Sequence, residues 1–354
     1  MWGSSGQVAS RAREAPRVIR RADMTPRERI LAAVQRRETD VPAVGNAVSI
    51  ATVELMDATG CAFPEAHTDP QVMAGLAAAG HEILGYDTIA PIFSVQHEAD
   101  ALGCKVDWGR RDMMPDCTLH PCTSAADIRV PVDVLRHPAM VVPLEALRIL
   151  RGRFPDVALV GKVFGPWTLA YHLFGVERFL IMTLDDPDEV RRILRELMLL
   201  PVFYAREQIS AGADVITLAD HATGDLVSPA MYRDFLWPLH RELAGQIPSP
   251  VILHICGDTA DRIPFISRTG LACFHFESKV PASKARWLAG DRIALMGNIN
   301  NAETLLRGTP GDVAAEVEVC LQAGIEVIAP ECAVPLTTPT ENLQAIAHSA
   351  RLHR

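Results

Sequence analysis

Short apolar runs recur along this chain with longer amphipathic stretches between them, and that alternation restricts the fold more than any other feature. Candidate strands fall near 43–48, 86–92, 158–164, 214–218, 250–255, 272–276, 292–297 and 325–329. Several are almost continuously apolar, as in Val157-Ala158-Leu159-Val160, Val215-Ile216-Thr217-Leu218 and Val251-Ile252-Leu253. A strand with one wet face alternates apolar and polar residues; a continuous run marks a strand buried on both faces, the habit of parallel sheets. Helical patterns occupy 70–84, 144–153, 187–212, 229–247, 259–269 and 310–324. Strands interleaved with helices imply parallel strands joined by crossovers, and eight of them predict a closed (β/α)8 TIM barrel, with an open doubly wound sheet as the alternative.

The domain is expected to span 24–354. It opens with Thr25 as a helix cap, Pro26 in the first turn and Ile30, Leu31 and Val34 on one face, the helix ending near Arg37. The segment from about 94 to 140 exceeds a plain connection and predicts an inserted hairpin or lid after the second strand. Residues 1–23 carry five arginines and no apolar periodicity, which reads as a flexible N-terminal extension.

Composition excludes several classes of function. The chain is 49% hydrophobic and 22% charged, enough for a sizeable core, and its net charge of −9 speaks against nucleic acid or an anionic membrane as partner. No run approaches the ~18 consecutive apolar residues of a membrane span. Neither a Gly-rich dinucleotide fingerprint nor a phosphate loop follows a candidate strand. Eight cysteines without a secretory signal point to reduced thiols and a cytoplasmic protein.

The sharpest local signal is Leu253-His254-Ile255-Cys256-Gly257-Asp258 at the end of the fifth candidate strand. Residues at i and i+2 of a strand share a face, so the imidazole of His254 and the thiol of Cys256 can converge on one metal ion. Cys332, just past the eighth strand, would open on the same end of a barrel and supply a third ligand. Two thiolates and one imidazole suit Zn²⁺ and leave a position for substrate. The plainer alternative makes both cysteines small buried hydrophobes and His254 a satisfied core histidine. Asp220 and His221, at the fourth strand end, can position a substrate or support the metal ligands, or simply cap a helix. Asp87 opens the second strand and reads as a buried carboxylate on the barrel axis or as a turn cap. Glu98 and Asp100, in the presumed insertion, offer one candidate oxygen ligand or a solvated charged face. Asn298 and Asn300 stand at the seventh strand end, where amides orient substrates or hold turns. His275 and Glu277 alternate on the sixth strand.

With these residues in place, the chain resembles the uroporphyrinogen decarboxylase superfamily, and within it the zinc-dependent corrinoid methyltransferases of the methylcobamide:coenzyme M type. The likeness runs from about Met24 to Arg351. It rests on Thr25-Pro-Arg-Glu-Arg-Ile30, Gly85-Tyr-Asp-Thr-Ile89, Glu98-Ala-Asp-Ala-Leu-Gly103, Gly165-Pro-Trp-Thr-Leu-Ala170, Gly212-Ala-Asp-Val-Ile-Thr-Leu-Ala-Asp220, His254-Ile-Cys-Gly257, Met296-Gly-Asn-Ile-Asn300, Cys332-Ala-Val-Pro335 and Thr338-Pro-Thr-Glu-Asn342. The resemblance implies a TIM barrel in which His254, Cys256 and Cys332 bind zinc. It implies methyl transfer between methylcobalamin, carried on a separate corrinoid protein, and a small thiol or other methyl donor or acceptor. Catalytic roles would fall to Asp87 and Asp220, and substrate contacts to His221, Asn298 and Glu98, with Trp167, Tyr171 and His172 at the barrel mouth.

True decarboxylases of this superfamily hold their tetrapyrrole carboxylates with an arginine-bearing motif, where this chain has Gly45-Asn-Ala-Val-Ser-Ile50. Asp87 would match their catalytic aspartate, but without the arginine clamp decarboxylation takes second place. A binding module that docks a corrinoid protein without turnover is the third reading.

Overall fold

The computed structural model describes residues 23–353, and the extension expected over 1–23 lies outside them apart from Asp23. All eight apolar runs become parallel strands: β1 (Ala43–Val44), β2 (Thr88–Ile89), β3 (Ala158–Phe164), β4 (Val215–Ala219), β5 (Val251–Ile255), β6 (Cys273–Phe276), β7 (Ala294–Ile299) and β8 (Val327–Pro330). Their hydrogen-bonded order is β1-β8-β7-β6-β5-β4-β3-β2, with helices in the crossovers, which is a (β/α)8 barrel. Strands β1 and β2 pair with β8 and β3 respectively and form no ladder with each other. Beyond Val44 the Asn46 side chain accepts the Val48 N–H, an Asx turn that ends the strand.

Side chains finish what that seam leaves open. Asp87 N–H donates to Val44 O at 2.7 Å, Val44 N–H to the Asp87 carboxylate at 2.9 Å, and Asn46 N–H to Thr88 Oγ1 at 2.8 Å. Two arginines then clamp Asp87: Arg29 at 2.6 Å and Arg351, from the last helix Thr340–Arg351, at 2.7 Å. Arg29 also pairs with Asp40 at 2.8 Å. Asp87 therefore sits at the end of the barrel opposite the C-terminal strand ends, holding the seam shut.

The barrel interior is apolar below the mouth. Inward-facing Val160, Val215, Ile252, Cys273, Met296 and Val327 form one cluster, plugged from beneath by Ile30, Ala33 and Val34 of the first helix. That helix, Pro26–Ala33, carries the expected cap, strengthened by a Thr25–Glu28 capping box, and stops short of Arg37. Burying each such aliphatic side chain contributes about 1.5–3 kcal/mol, so plug and barrel stabilise one another.

Prolines revise two expected helices. The pattern over 187–212 divides into Pro187–Leu197 and Leu199–Ser210. Pro201 has no N–H to continue the first helix but fits the first turn of the second. Within 229–247, Pro238 likewise follows a π-helical turn, Tyr232–Leu236, that hands over to Trp237–Gln246. Of 259–269 only Ile263–Ile266 is α-helical. The segment after β2 contains a short helix, His97–Ala101, and an antiparallel hairpin of Lys105–Asp107 with Asp116–Leu119.

Candidate metal centre

Strand β5 delivers His254 into the barrel, and Cys256 follows on the same face one residue past the strand end. Gly257 turns the chain away at φ +79°; a Cβ there would overlap Thr223 Oγ1 at 2.0 Å, so only glycine permits this exit. Cys332 arrives two residues after β8. The three ligand atoms meet: His254 Nε2 lies 3.0 Å from Cys256 Sγ and 3.4 Å from Cys332 Sγ, and the sulfurs are 3.3 Å apart. Tetrahedral ligands on zinc stand roughly 3.4–3.8 Å apart given bonds of ~2.0–2.3 Å, so a shift of a few tenths of an ångström accommodates the ion. Contact with the Cys256 sulfur, helped by His254, holds the Cys332 thiol well below its ordinary range, while the same contact raises Cys256. Two thiols that share a proton in this way are prepared to lose it to a cation. The donor set therefore fits a soft divalent ion.

These residues line a cavity of about 550 Å³ at the barrel mouth. Its walls are largely apolar, with Val48, Phe93, Phe164 and Tyr171 contributing, and the inserted hairpin closes one side with Met114 and Cys117. Such a size suits a small ligand.

Asp220 lines this cavity and is almost wholly buried. One of its oxygens accepts the Thr168 N–H at 2.8 Å and the Thr168 hydroxyl at 2.9 Å. The other faces His240 Nε2 at 3.1 Å, and His240 Nδ1 meets the Tyr232 hydroxyl at 3.0 Å. The helix Pro166–Phe174 starts at Gly165, which has no side chain to cap it. Asp220 supplies that cap from the neighbouring strand, in space that a Cβ on Gly165 would invade at 2.2 Å. Thr168 Oγ1 in turn accepts the His221 N–H at 2.7 Å, so Asp220 indirectly sets the His221 backbone. The His221 ring lines the cavity edge-on to Tyr171, and burial lowers its pKa. Tyr171 and His172 line the mouth, whereas Trp167 is buried against Tyr171 and Phe179.

The other sequence candidates stand apart from the cavity. Glu98 is buried behind the wall, where one oxygen accepts the Phe164 N–H at 3.0 Å and the other has no partner. Burial pushes its pKa up to about 8. Asn298 spends its amide N–H groups on Val280 O and Glu277 O, holding the connection between β6 and β7. Asn300 caps the turn that follows β7 and donates to Ser278 Oγ at 2.8 Å. His275 Nε2–H donates to Pro330 O, 2.8 Å away, beside the His254 ring. Asp87 lies at the far end of the barrel, in the arginine clamp.

Sequence reasoning passed over Lys162, the single lysine or arginine of the cavity lining among the described residues. Its signal was a lone charge inside the apolar run of β3. It also passed over His240, Tyr232 and Thr168 as the holders of Asp220, and over a second thiol–imidazole contact, Cys117 Sγ to His172 Nδ1 at 3.5 Å.

Fold and site together describe a TIM barrel with two thiols and an imidazole, a group that could hold a metal ion, gathered at its mouth. The chain belongs to the uroporphyrinogen decarboxylase (URO-D) family, whose sequence profile matches residues 25–353. It is 33% identical over 332 residues, 93% of this chain and 90% of the relative, to a methylated-thiol–coenzyme M methyltransferase of Methanosarcina mazei. To the methylcobamide:CoM methyltransferase MtaA of Methanosarcina barkeri it is 34% identical over 329 residues, 92% and 97% of the two chains. A solved methyltransferase structure from Methanosarcina mazei superposes with a TM-score of 0.90 at 34% identity, over 93% of this chain and 98% of that one.

Proposed function

We propose that this chain is a corrinoid-dependent methyltransferase that moves a methyl group between a methylated corrinoid and a small thiol, with zinc held by His254, Cys256 and Cys332. The observation that carries the reading is the convergence of two thiols and an imidazole within 4.8 Å at the mouth of a barrel whose relatives are named for methyl transfer to coenzyme M. When bound, the ion supplies the Lewis acidity that keeps a thiol in its nucleophilic thiolate form near neutral pH.

The remaining work falls to the chain's own residues. The apolar walls exclude water from the sulfur and hold a small molecule in one orientation. His221 stays neutral in the cavity and offers a ring nitrogen to the proton the thiol gives up. Asp220, braced by Thr168 and His240, keeps that histidine and the helix beside it in place. The corrinoid arrives on a separate carrier protein and meets the open mouth between Tyr171, His172 and the inserted hairpin. All eight cysteines are free, which suits the reducing cytoplasm. Among the described residues a tetrapyrrole polycarboxylate would find one lysine and no arginine in the lining, which disfavours decarboxylation.

The test is zinc per chain by elemental analysis, with methyl transfer from methylcobalamin to a thiol followed by absorbance. About one zinc and turnover are expected in the native chain, and both should be lost in His254→Ala. A chain that takes up no zinc after reconstitution would overturn the assignment.

A further inference from the structure

The inserted hairpin carries a second meeting of thiols and imidazole, apart from the metal-ligand candidates. Cys104 precedes its first strand, Lys105–Asp107, and Cys117 lies on its second, Asp116–Leu119. Cys117 pairs across the ladder with Val106, and Cys104, two residues before Val106, shares the face of that residue. The two side chains are therefore diagonal neighbours, and they interact through their thiols. Both sulfurs also reach one residue of the helix Pro166–Phe174: Cys104 Sγ donates to His172 O at 3.2 Å, and Cys117 Sγ lies 3.5 Å from His172 Nδ1.

The pair is asymmetric. Contact with the Cys104 thiol and with the His172 ring holds the Cys117 thiol well below its ordinary range, while the same contact, together with burial, raises Cys104. Cys117 lines the cavity beside His172, whereas Cys104 is buried behind it. A thiolate reachable from the mouth, backed by a protonated thiol, is the arrangement of an attacking and a resolving sulfur.

We propose that Cys117 and Cys104 form a thiol–disulfide exchange site for small organic disulfides that enter the cavity. The Cys117 thiol gives its proton to His172 Nδ1 and attacks one sulfur of the disulfide RSSR. The S–S bond breaks, and the first RS⁻ leaves with the proton that His172 returns. Cys104 then attacks the Cys117 sulfur of the mixed disulfide and expels the second RS⁻, which takes the Cys104 proton. Two protein thiols and RSSR thus give a Cys104–Cys117 disulfide and two RSH: the pair is oxidised and the small disulfide reduced. Neither a metal ion nor a corrinoid enters the exchange, so it stands apart from the methyl-transfer reading.

The zinc-loaded full chain is incubated with the neutral 2-hydroxyethyl disulfide, its remaining thiols are blocked with N-ethylmaleimide, and the links are located by mass spectrometry of unreduced peptides. The Cys104–Cys117 link should form first, with two molecules of 2-mercaptoethanol released for each link. At about pH 6 Cys117 should react about tenfold faster than the half-buried Cys61, because its larger thiolate fraction outweighs its lower nucleophilicity. Cys104→Ser should stop at the mixed disulfide on Cys117, and Cys117→Ser should leave Cys104 unmodified. A first link between any other two cysteines, Cys122 or the Cys256 and Cys332 pair included, would overturn the proposal. So would a mixed disulfide that persists on Cys117 in the native chain, or a reaction at Cys117 no faster than at Cys61.

Discussion

Asp87 and Asp220 are equally buried, each about 1% exposed, yet the two ends of the barrel hold them by opposite means. At the bottom, Asp87 is neutralised by Arg29 and Arg351 and closes the seam between β1 and β2, which form no ladder with each other. At the mouth, Asp220 meets no arginine or lysine and accepts from a backbone amide, a hydroxyl and an imidazole. The bottom uses full charges to lock the first and last helices under the barrel. The mouth spends its polar groups on aiming side chains into a cavity, on whose wall Cys256 and Cys332 meet His254. Stability and chemistry are thus separated along the barrel axis, as TIM barrels generally arrange them.

That separation is tested most severely by exchanging the sulfurs. Cys256→Ser or Cys332→Ser should weaken zinc binding by about 100-fold or more and abolish methyl transfer, because a hydroxyl is a poor ligand for this ion and two remaining donors do not hold it. The barrel should stay folded, since neither residue belongs to the bottom cluster. Circular dichroism beside elemental analysis distinguishes these effects. A global loss of structure in either variant would show that the mouth also carries the fold.

The converse substitution, Asp87→Asn, should act on stability. It leaves two arginines facing an amide in place of a carboxylate; breaking one partner of such a buried pair costs about 3–5 kcal/mol. For a chain of this size that lowers Tm by roughly 5–10 °C. Zinc content and affinity should match the native chain. Loss of zinc in this variant would join the two ends that the structure keeps apart.

How legible these features are in the sequence follows from the range of the contacts that create them. The strands declare themselves because burial on both faces leaves a continuous apolar run, and His254 with Cys256 because a two-residue spacing on a strand is local geometry. Cys332 lies 76 residues beyond Cys256 and joins them only once a closed barrel is assumed. Asp87 and Asp220 look alike as letters, since a buried carboxylate at a strand end fits a catalytic or a structural role until its partners are known. Those partners stand 58 and 264 residues from Asp87, and 52 and 20 from Asp220. Such distances follow no helical or strand period, so no pattern announces them. Lys162 escapes notice for a related reason: inside an apolar run a single lysine reads as an interruption, and only the closed barrel brings it to the cavity wall.

Glu98, another buried carboxyl, sharpens the comparison, because it has neither the arginines of Asp87 nor the full donor set of Asp220. Its pKa is raised from 4.5 to about 8, chiefly by burial. The folded chain therefore holds a proton on Glu98 that the unfolded chain releases between those values. The contribution to stability is fully present below about pH 4.5 and is lost as pH rises through 8. Glu98→Gln keeps an acceptor for the Phe164 N–H but cannot ionise, so it should escape this loss. The native chain should lose Tm relative to the variant by roughly 2–5 °C between pH 5.5 and pH 8.5. Parallel Tm profiles across that window would mean that Glu98 is ionised beside a counter-charge, which Lys162, the cation acting on it, would supply.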